Sequence, residues 1–328
     1  MFGPQHLKYL ITYFDGVDKA LAKKLARKHP PDEPALTNEL CALLDAETQR
    51  AEPTLEYSLD QLNRDLAAVG DGLDFEITLD THPHNMAMER YVSQSDFGLV
   101  LEYDNRVLPQ ENWSKAYLVQ AKRLFRNPQS GEYDHKSRFQ ALNSDQSARL
   151  TRLAEILGRN ALYYAFYCPL ASALSETART QVRALHTRNL SRKLYDGSTG
   201  LALRDAVAVN GGIDAGIWMH QLASPPTLLP QLHVGAFNQA WPLTWFLVDR
   251  FSGYDDLYGD DESYDQERVR RIVAGDMVAI RELIEELSKA GEEDVAPSTI
   301  TVLPRHTISI KVTVGKSLPS DLAGIQVD

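Results

Sequence analysis

The first part of the chain has apolar residues at the spacing of amphipathic helices. In PALTNELCALLDAETQ, residues 34–49, the leucines at 36, 40, 43 and 44 share one face at helical spacing, which predicts a helix with one buried side. The segment TLEYSLDQLNRDLAAV, residues 54–69, has the same spacing and ends at GDG. Residues 6–29 predict a further helix, or a pair of helices, before HPPDEP. The chain therefore begins with helices.

The pattern then changes to the shorter period of strands. DFEITL at 74–79 alternates between apolar and polar residues, and DFGLVLEY at 96–103 and KAYLVQAKRLF at 115–125 predict two more strands. The segment SDQSARLTRLAEILG at 144–158 predicts a helix that ends at a glycine, and ALYYAFYC at 161–168 predicts a buried strand. The order is helix, extra helix, strand, strand, strand, helix, strand.

The second half of the chain has weaker patterns. A helix is predicted over the basic stretch 178–195, and further helices over 241–251 and 268–291. ITVLPRHTISIKVTV, residues 300–314, predicts a terminal strand or hairpin. No repeat or low-complexity linker separates the halves, so a single elaborated domain is expected. We divide it into an N-terminal helical extension (1–32), a core (33–195) and a C-terminal elaboration (196–328) that packs on the core.

Charge is unevenly distributed along the 328 residues. The formal net charge of −11 argues against indiscriminate coating of nucleic acid. The stretch 178–195 nevertheless has no acidic residue, and such a run either binds phosphates locally or forms a solvated helix face. Its basic residues are Arg179, Arg183, Arg188, Arg192 and Lys193. The segment YDDLYGDDESYDQE at 254–267 is strongly acidic.

Several features of the sequence suggest a cytoplasmic protein without a membrane partner. No apolar run approaches the length that spans a bilayer, and the first residues lack the pattern of a signal peptide. The two cysteines, Cys41 and Cys168, lie in apolar contexts and predict core positions rather than a disulfide or zinc site. HPH at 82–84 is interpreted as part of a polar loop.

The third predicted strand contains two polar residues on one face. Gln120 and Lys122 are two positions apart, and lysine is rarely buried without a partner. If the second and third strands form a hairpin, Asp96 comes close to Gln120. Glu39 of a predicted helix and Glu89 of the preceding loop are further candidates. Carboxylate and amide oxygens suit Mg²⁺, and an ammonium can orient the attacking water and stabilise charge on a phosphate.

These residues and their order along the chain resemble the PD-(D/E)xK, or restriction-endonuclease-like, nucleases. The resemblance implies an α/β fold with an αβββαβ core, a mixed central sheet flanked by helices, and helical and β additions in the C-terminal half. It identifies Asp96 with the metal-binding aspartate of the family and QAK, Gln120 to Lys122, with the signature triplet. Glu39 corresponds to the first-helix glutamate, with Glu89 as its competitor. The glutamine variant is similar to a branch that includes bacterial restriction and phage-defence nucleases.

The resemblance implies a DNA endonuclease that hydrolyses phosphodiester bonds in an anti-phage defence or restriction system. Asp96, Gln120 and Glu39 would hold Mg²⁺ or Mn²⁺, and Lys122 would act on the water and the phosphate. Arg123, Arg126 and the basic stretch 178–195 would contact the DNA backbone. A partner ATPase or sensor protein and a homodimer are also consistent with the family.

Two alternatives remain open at this stage. Glutamine is neutral, so a Gln120 site has one negative charge fewer for a metal than the commoner carboxylate version. The first alternative is a catalytically inactive nuclease-fold subunit that binds nucleic acid or a partner protein. The second is a nuclease directed at RNA.

Overall fold

Helices and strands alternate along the chain in the computed structural model, which describes residues 2–70, 72–84, 96–140, 144–195, 214–221, 225–252, 265–289 and 304–316. The helices are α1 (Pro4–Leu25), α2 (Glu33–Leu43), α3 (Ala46–Ala51), α4 (Leu59–Ala68), α5 (Ser144–Leu157), α6 (Glu176–Tyr195), α7 (Leu229–Val234), α8 (Leu243–Ser252), α9 (Gln266–Val273) and α10 (Met277–Lys289). The strands are β1 (Leu73–Pro83), β2 (Phe97–Asn105), β3 (Trp113–Phe125), β4 (Arg138–Phe139), β5 (Leu162–Tyr167), β6 (Ile217–Gln221), β7 (Ala240–Pro242) and β8 (His306–Lys316).

The eight strands of the described residues belong to one open, mixed sheet. Their order across the sheet is β1-β8-β2-β3-β5-β6-β7, and the short β4 pairs with β3. Strands β2 and β3 form the predicted antiparallel hairpin, whereas β5 runs parallel to β3. The α/β class and the predicted succession of three strands, a helix and a strand are therefore confirmed.

The C-terminal strand β8 lies between β1 and β2. It pairs antiparallel with β1 from Leu73↔Lys316 to Pro83↔His306, and parallel with β2 from Phe97↔His306 onwards. The segment 82–84 was predicted as a loop, but β1 continues to Pro83 because β8 supplies a partner of equal length. Residues more than two hundred positions apart in the sequence consequently lie side by side in the sheet.

Helices cover both faces of this sheet. The hydroxyl of Thr37 in α2 is 3.0 Å from that of Tyr167, which pairs with Arg123. On the other side α9 approaches Gly98, where an added Cβ would lie 2.3 Å from Val273 Cγ1. Gly98 pairs with Leu118, and side chains at odd and even positions of β3 point to opposite faces. The two helices therefore lie on opposite faces.

The predicted helix over 34–49 is two helices in the structure. Asp32 caps the first, since its Oδ1 accepts the Ala35 N–H at 3.0 Å. Asp45 caps the second, since its Oδ1 accepts the Thr48 N–H at 2.7 Å. An aspartate at an N-cap satisfies N–H groups that have no partner within the helix, and this starts a new helix at Ala46.

One continuous apolar core joins these helices to the sheet. Its largest members include Trp218, Trp241 and Trp245, and both cysteines are buried in it as free thiols, as the sequence predicted. Among the described helices, none combines the length and the apolar character needed to cross a membrane.

Candidate active site

One end of the sheet is built by β3, which continues past the first residue of β2. Beyond the start of β2, the backbone N–H groups of Ala121 and Arg123 donate to carboxylates instead of to a neighbouring strand. Asp96 Oδ2 accepts the Ala121 N–H at 2.8 Å, and Glu33 Oε2 accepts the Arg123 N–H at 3.0 Å. Two acidic side chains from different elements are thus held against the same strand edge.

The two polar residues of β3 complete this cluster. The side chains of Gln120 and Lys122 are buried, with 4% of each residue exposed. Gln120 Nε2 donates a hydrogen bond to Asp96 Oδ2. Lys122 Nζ lies 3.6 Å from Glu33 Oε1, which gives the buried ammonium a charged partner. The hairpin therefore brings Asp96, Gln120 and Lys122 together, as the sequence predicted.

The position of Glu33 follows from how α2 begins. Asp32 forms the N-cap and a proline occupies the first turn, so Glu33 is the first residue of the helix. The hydrogen bond between Thr37 and Tyr167 holds the next turn of α2 on β5. Because β5 is the parallel neighbour of β3, the start of α2 is placed over the exposed edge of β3.

Burial and charge together set the pKa values of the two carboxyl groups. Burial raises the pKa of Asp96 to about 6, and the nearby charge of Glu33 adds to this increase. The Ala121 N–H, Lys122 and Arg305 act in the opposite direction by stabilising the carboxylate. Burial also raises the pKa of Glu33, although Lys122 lowers it. Two mutually repelling carboxylates in a partly dry site favour binding of a cation.

The glutamate predicted for the first helix, Glu39, is not the one that contacts Lys122. Glu39 forms an ion pair with Lys24 of α1, with Nζ and Oε1 2.8 Å apart, whereas Glu33 is the α2 carboxylate that contacts Lys122. Six residues rotate a helix position by about 600°, so Glu39 points away from the direction of Glu33. The motif PDEP, which marks the helix start, could have indicated Glu33. Glu89 lies outside the described residues.

Arg123 and Arg126, for which contacts with the DNA backbone are predicted, bind carbonyl groups of the protein itself, and a contact of either with DNA stays a prediction. The Arg123 guanidinium donates to the carbonyl oxygens of Pro30 and Pro31, the first at 3.2 Å. Arg126 donates to carbonyl oxygens of the segment that follows α1, those of Ala26, Arg27 and Lys28. Carbonyl groups at a helix C-terminus lack partners within the helix, and Arg126 supplies donors for them. Both arginines therefore fix the connection between α1 and α2.

The basic stretch forms α6, as predicted. Arg183 and Arg188 are exposed and Arg179 is half-buried, while Arg192 and Lys193 belong to the last turn. The helix is anchored on α7 by a hydrogen bond of 2.9 Å between His186 Nε2 and His233 Nδ1. A contact between this helix and nucleic acid stays a prediction.

The donor set suits a hard divalent cation. No group of three or more His, Cys, Asp or Glu side chains with metal-binding geometry occurs within the described ranges. Asp96 and Glu33 nevertheless supply two carboxylates, and the Gln120 side chain supplies an amide next to Asp96. Mg²⁺ is commonly held by one or two carboxylates with waters and substrate phosphate completing its shell. These three residues fit such an ion once the Gln120 amide turns its oxygen towards it.

Comparison of the chain with protein-family models, with curated proteins and with solved structures gave no match in any of the three.

Proposed function

We propose that this protein is a metal-dependent nuclease with a restriction-endonuclease-like fold. One observation carries the proposal: Asp96, Gln120 and Lys122 meet a second carboxylate, Glu33, at one end of the sheet. The succession of strands and helices from α2 to β5 agrees with the αβββαβ core of that fold. A buried lysine between carboxylates is costly for stability alone, which favours a chemical role.

Each residue has a distinct role in this proposal. Asp96 and Glu33, with the amide oxygen of Gln120, would hold Mg²⁺ or Mn²⁺, which when bound lowers the pKa of a water ligand and neutralises phosphate charge. Lys122 donates to a phosphate oxygen or to the attacking water, and its ammonium stabilises the negative charge that develops there. Since the pKa of Asp96 is about 6, its carboxylate is ionised at neutral pH and able to bind a cation.

The biological context comes from the family resemblance. The resemblance implies that the substrate is DNA and that the protein acts in the cytoplasm in anti-phage defence or restriction. It also implies a partner, which is an ATPase, a sensor protein or a second copy of the chain. The net charge of −11 fits binding at a local site rather than along the whole surface.

The test is cleavage of supercoiled and linear DNA with Mg²⁺, Mn²⁺ or a chelator, for the native protein and for Lys122→Met. We expect metal-dependent nicking that falls at least about 1000-fold in the variant, because the ammonium acts at the reacting phosphate. Lys24→Met is the matched control, since Lys24 also pairs with a glutamate of α2. Equal cleavage by both variants would exclude Lys122 from the chemistry. Structured RNA in place of DNA tests the RNA alternative.

A non-enzymatic nucleic-acid-binding subunit is the second candidate. The observation that favours it is the Gln120 amide, which donates to Asp96 and contributes no negative charge for a metal. This candidate predicts binding of nucleic acid with no cleavage in any metal, and it predicts that Lys122→Met changes affinity but no reaction rate.

A further inference from the structure

The C-terminal strand brings an arginine to the candidate active site. In the parallel ladder Phe97 pairs with His306, so the residues that precede them, Asp96 and Arg305, enter the sheet next to each other. The positive charge of Arg305 acts on Asp96 and lowers its pKa. Arg305 is close to Asp96 because β8 lies between β1 and β2, although the two residues are more than two hundred positions apart in the sequence.

The backbone around Arg305 is fixed, whereas its side chain is exposed. His84 N–H donates to the Arg305 carbonyl at 3.0 Å, and the His84 ring bonds to Thr307 Oγ1 at 2.8 Å. The ring of His306 bonds to Asn38 of α2 at 2.8 Å. Arg305 itself is exposed, and within the described ranges no hydrogen bond or ion pair occupies its guanidinium. A charged group on an ordered backbone with free donors is suited to bind an anion.

Three other cations of the described residues near the site already have protein partners. Arg123 and Arg126 donate to carbonyl groups of the α1–α2 connection, and Lys122 is buried against Glu33. A nucleic acid that presents a phosphate to Lys122 must also place neighbouring phosphates along the exposed end of the sheet. Arg305 lies there, on the side of Asp96 opposite to β3.

We propose that Arg305 binds a backbone phosphate of the nucleic-acid substrate, adjacent to the phosphate that is cleaved. This inference rests on the proposed nuclease function and names a residue that positions its substrate. A guanidinium forms two parallel hydrogen bonds to one phosphate, and such contacts set register without reading sequence. Arg305 would therefore contribute affinity for DNA of any sequence.

The experiment measures binding separately from cleavage. Affinity for a fluorescein-labelled DNA duplex is determined by anisotropy in the Lys122→Met background with chelator, over about 50 to 250 mM salt. We expect Arg305→Gln to weaken binding about 5- to 20-fold at low salt and to reduce the slope of log K against log salt by about 1. Lys311→Gln is the matched control, because Lys311 lies on β8, the strand that follows Arg305, and pairs with Asp104 at 3.3 Å. Its affinity should stay within about twofold of the parent.

The outcomes separate this inference from the nuclease proposal. Binding that depends on Arg305 in a protein that never cleaves would support the phosphate contact and overturn the nuclease. Cleavage by a protein whose affinity and salt slope are the same with and without Arg305→Gln would overturn the phosphate contact alone. A shifted pH profile of cleavage with unchanged affinity would assign Arg305 to the charge of Asp96 and equally overturn it. Absence of any binding to DNA or RNA would overturn both the phosphate contact of Arg305 and the nuclease proposal.

Discussion

Two partly or fully buried aspartates, Asp18 and Asp96, use the same backbone device in different parts of the molecule. Asp18 of α1 accepts the N–H groups of Gly216 at 2.6 Å and Ile217 at 2.7 Å, where β6 begins. Asp96 accepts the Ala121 N–H at the edge of β3. In both places a carboxylate satisfies strand N–H groups that another strand does not reach.

The surroundings of the two carboxylates differ. Asp18 is only 3% exposed, and burial together with the charges of Asp15 and Asp214 raises its pKa to about 7. Asp96 has the cations Lys122 and Arg305 nearby and a pKa of about 6. The same bonding pattern is therefore structural at Asp18, whereas at Asp96 the neighbouring cations and the polar amide form the site that we propose for a phosphate and a metal. The charged neighbours, rather than the backbone bond, distinguish the two.

The largest expected effect comes from removing each carboxylate in turn. Asp96→Asn should reduce metal-dependent cleavage at least about 1000-fold, because it removes a negative charge from a cation site that already contains one neutral amide, that of Gln120. Asp18→Asn should leave cleavage within about threefold after correction for the folded fraction by circular dichroism, since it only joins α1 to β6. Equal losses in the two variants would contradict the distinction between them.

A smaller effect is expected for the second carboxylate of the site. Glu33→Gln should raise the Mg²⁺ concentration for half-maximal cleavage about 10- to 100-fold, since it removes one charge from the cation site. Glu39→Gln, on the same helix, should change it less than about twofold because Glu39 pairs with Lys24 at the surface. A larger increase of this Mg²⁺ concentration in Glu39→Gln than in Glu33→Gln would identify Glu39, and not Glu33, as the ligand from α2.

The pH dependence of metal binding should follow Asp96. Its pKa of about 6 is above the usual value of 3.8, so protons compete with the metal below pH 6. Affinity for Mn²⁺, measured by electron paramagnetic resonance without nucleic acid, should fall about tenfold per pH unit below 6. This pH dependence should be absent in Asp96→Asn. A constant affinity of the native protein for Mn²⁺ from pH 5 to 8 would argue against Asp96 as a ligand.

Asp18 should affect stability rather than binding. Its folded pKa of about 7 exceeds the ordinary 3.8, so the neutral form stabilises the fold at low pH and this contribution is lost as pH rises through 7. In urea unfolding, the free energy of the native protein relative to Asp18→Asn should fall by about 1 kcal/mol per pH unit between pH 5 and 7. A difference that does not vary with pH would mean that Asp18 stays ionised in the fold.

Part of the site was predictable because three of its residues lie on, or directly before, two strands that are consecutive in the sequence. The alternation of KAYLVQAKRLF put Gln120 and Lys122 on one face, and a hairpin was sufficient to bring Asp96 to them. Glu33 was missed because the pattern of leucines does not show at which residue α2 starts, and Glu33 is its first residue. The carbonyl contacts of Arg123 and Arg126 were not predictable, because the sequence shows the charge of these residues and not where the α1–α2 connection lies.

The sequence by itself determined the succession of three strands, a helix and a strand, the burial of both cysteines and the polar pair in the middle of a strand. These follow from periodicity and from the cost of burying polar groups, which act over a few residues. The tertiary structure decided that β8 separates β1 from β2, that Arg305 stands beside Asp96, and that Glu33 rather than Glu39 faces Lys122. Such contacts join distant parts of the chain, and their choice depends on how all strands compete for partners when the sheet forms.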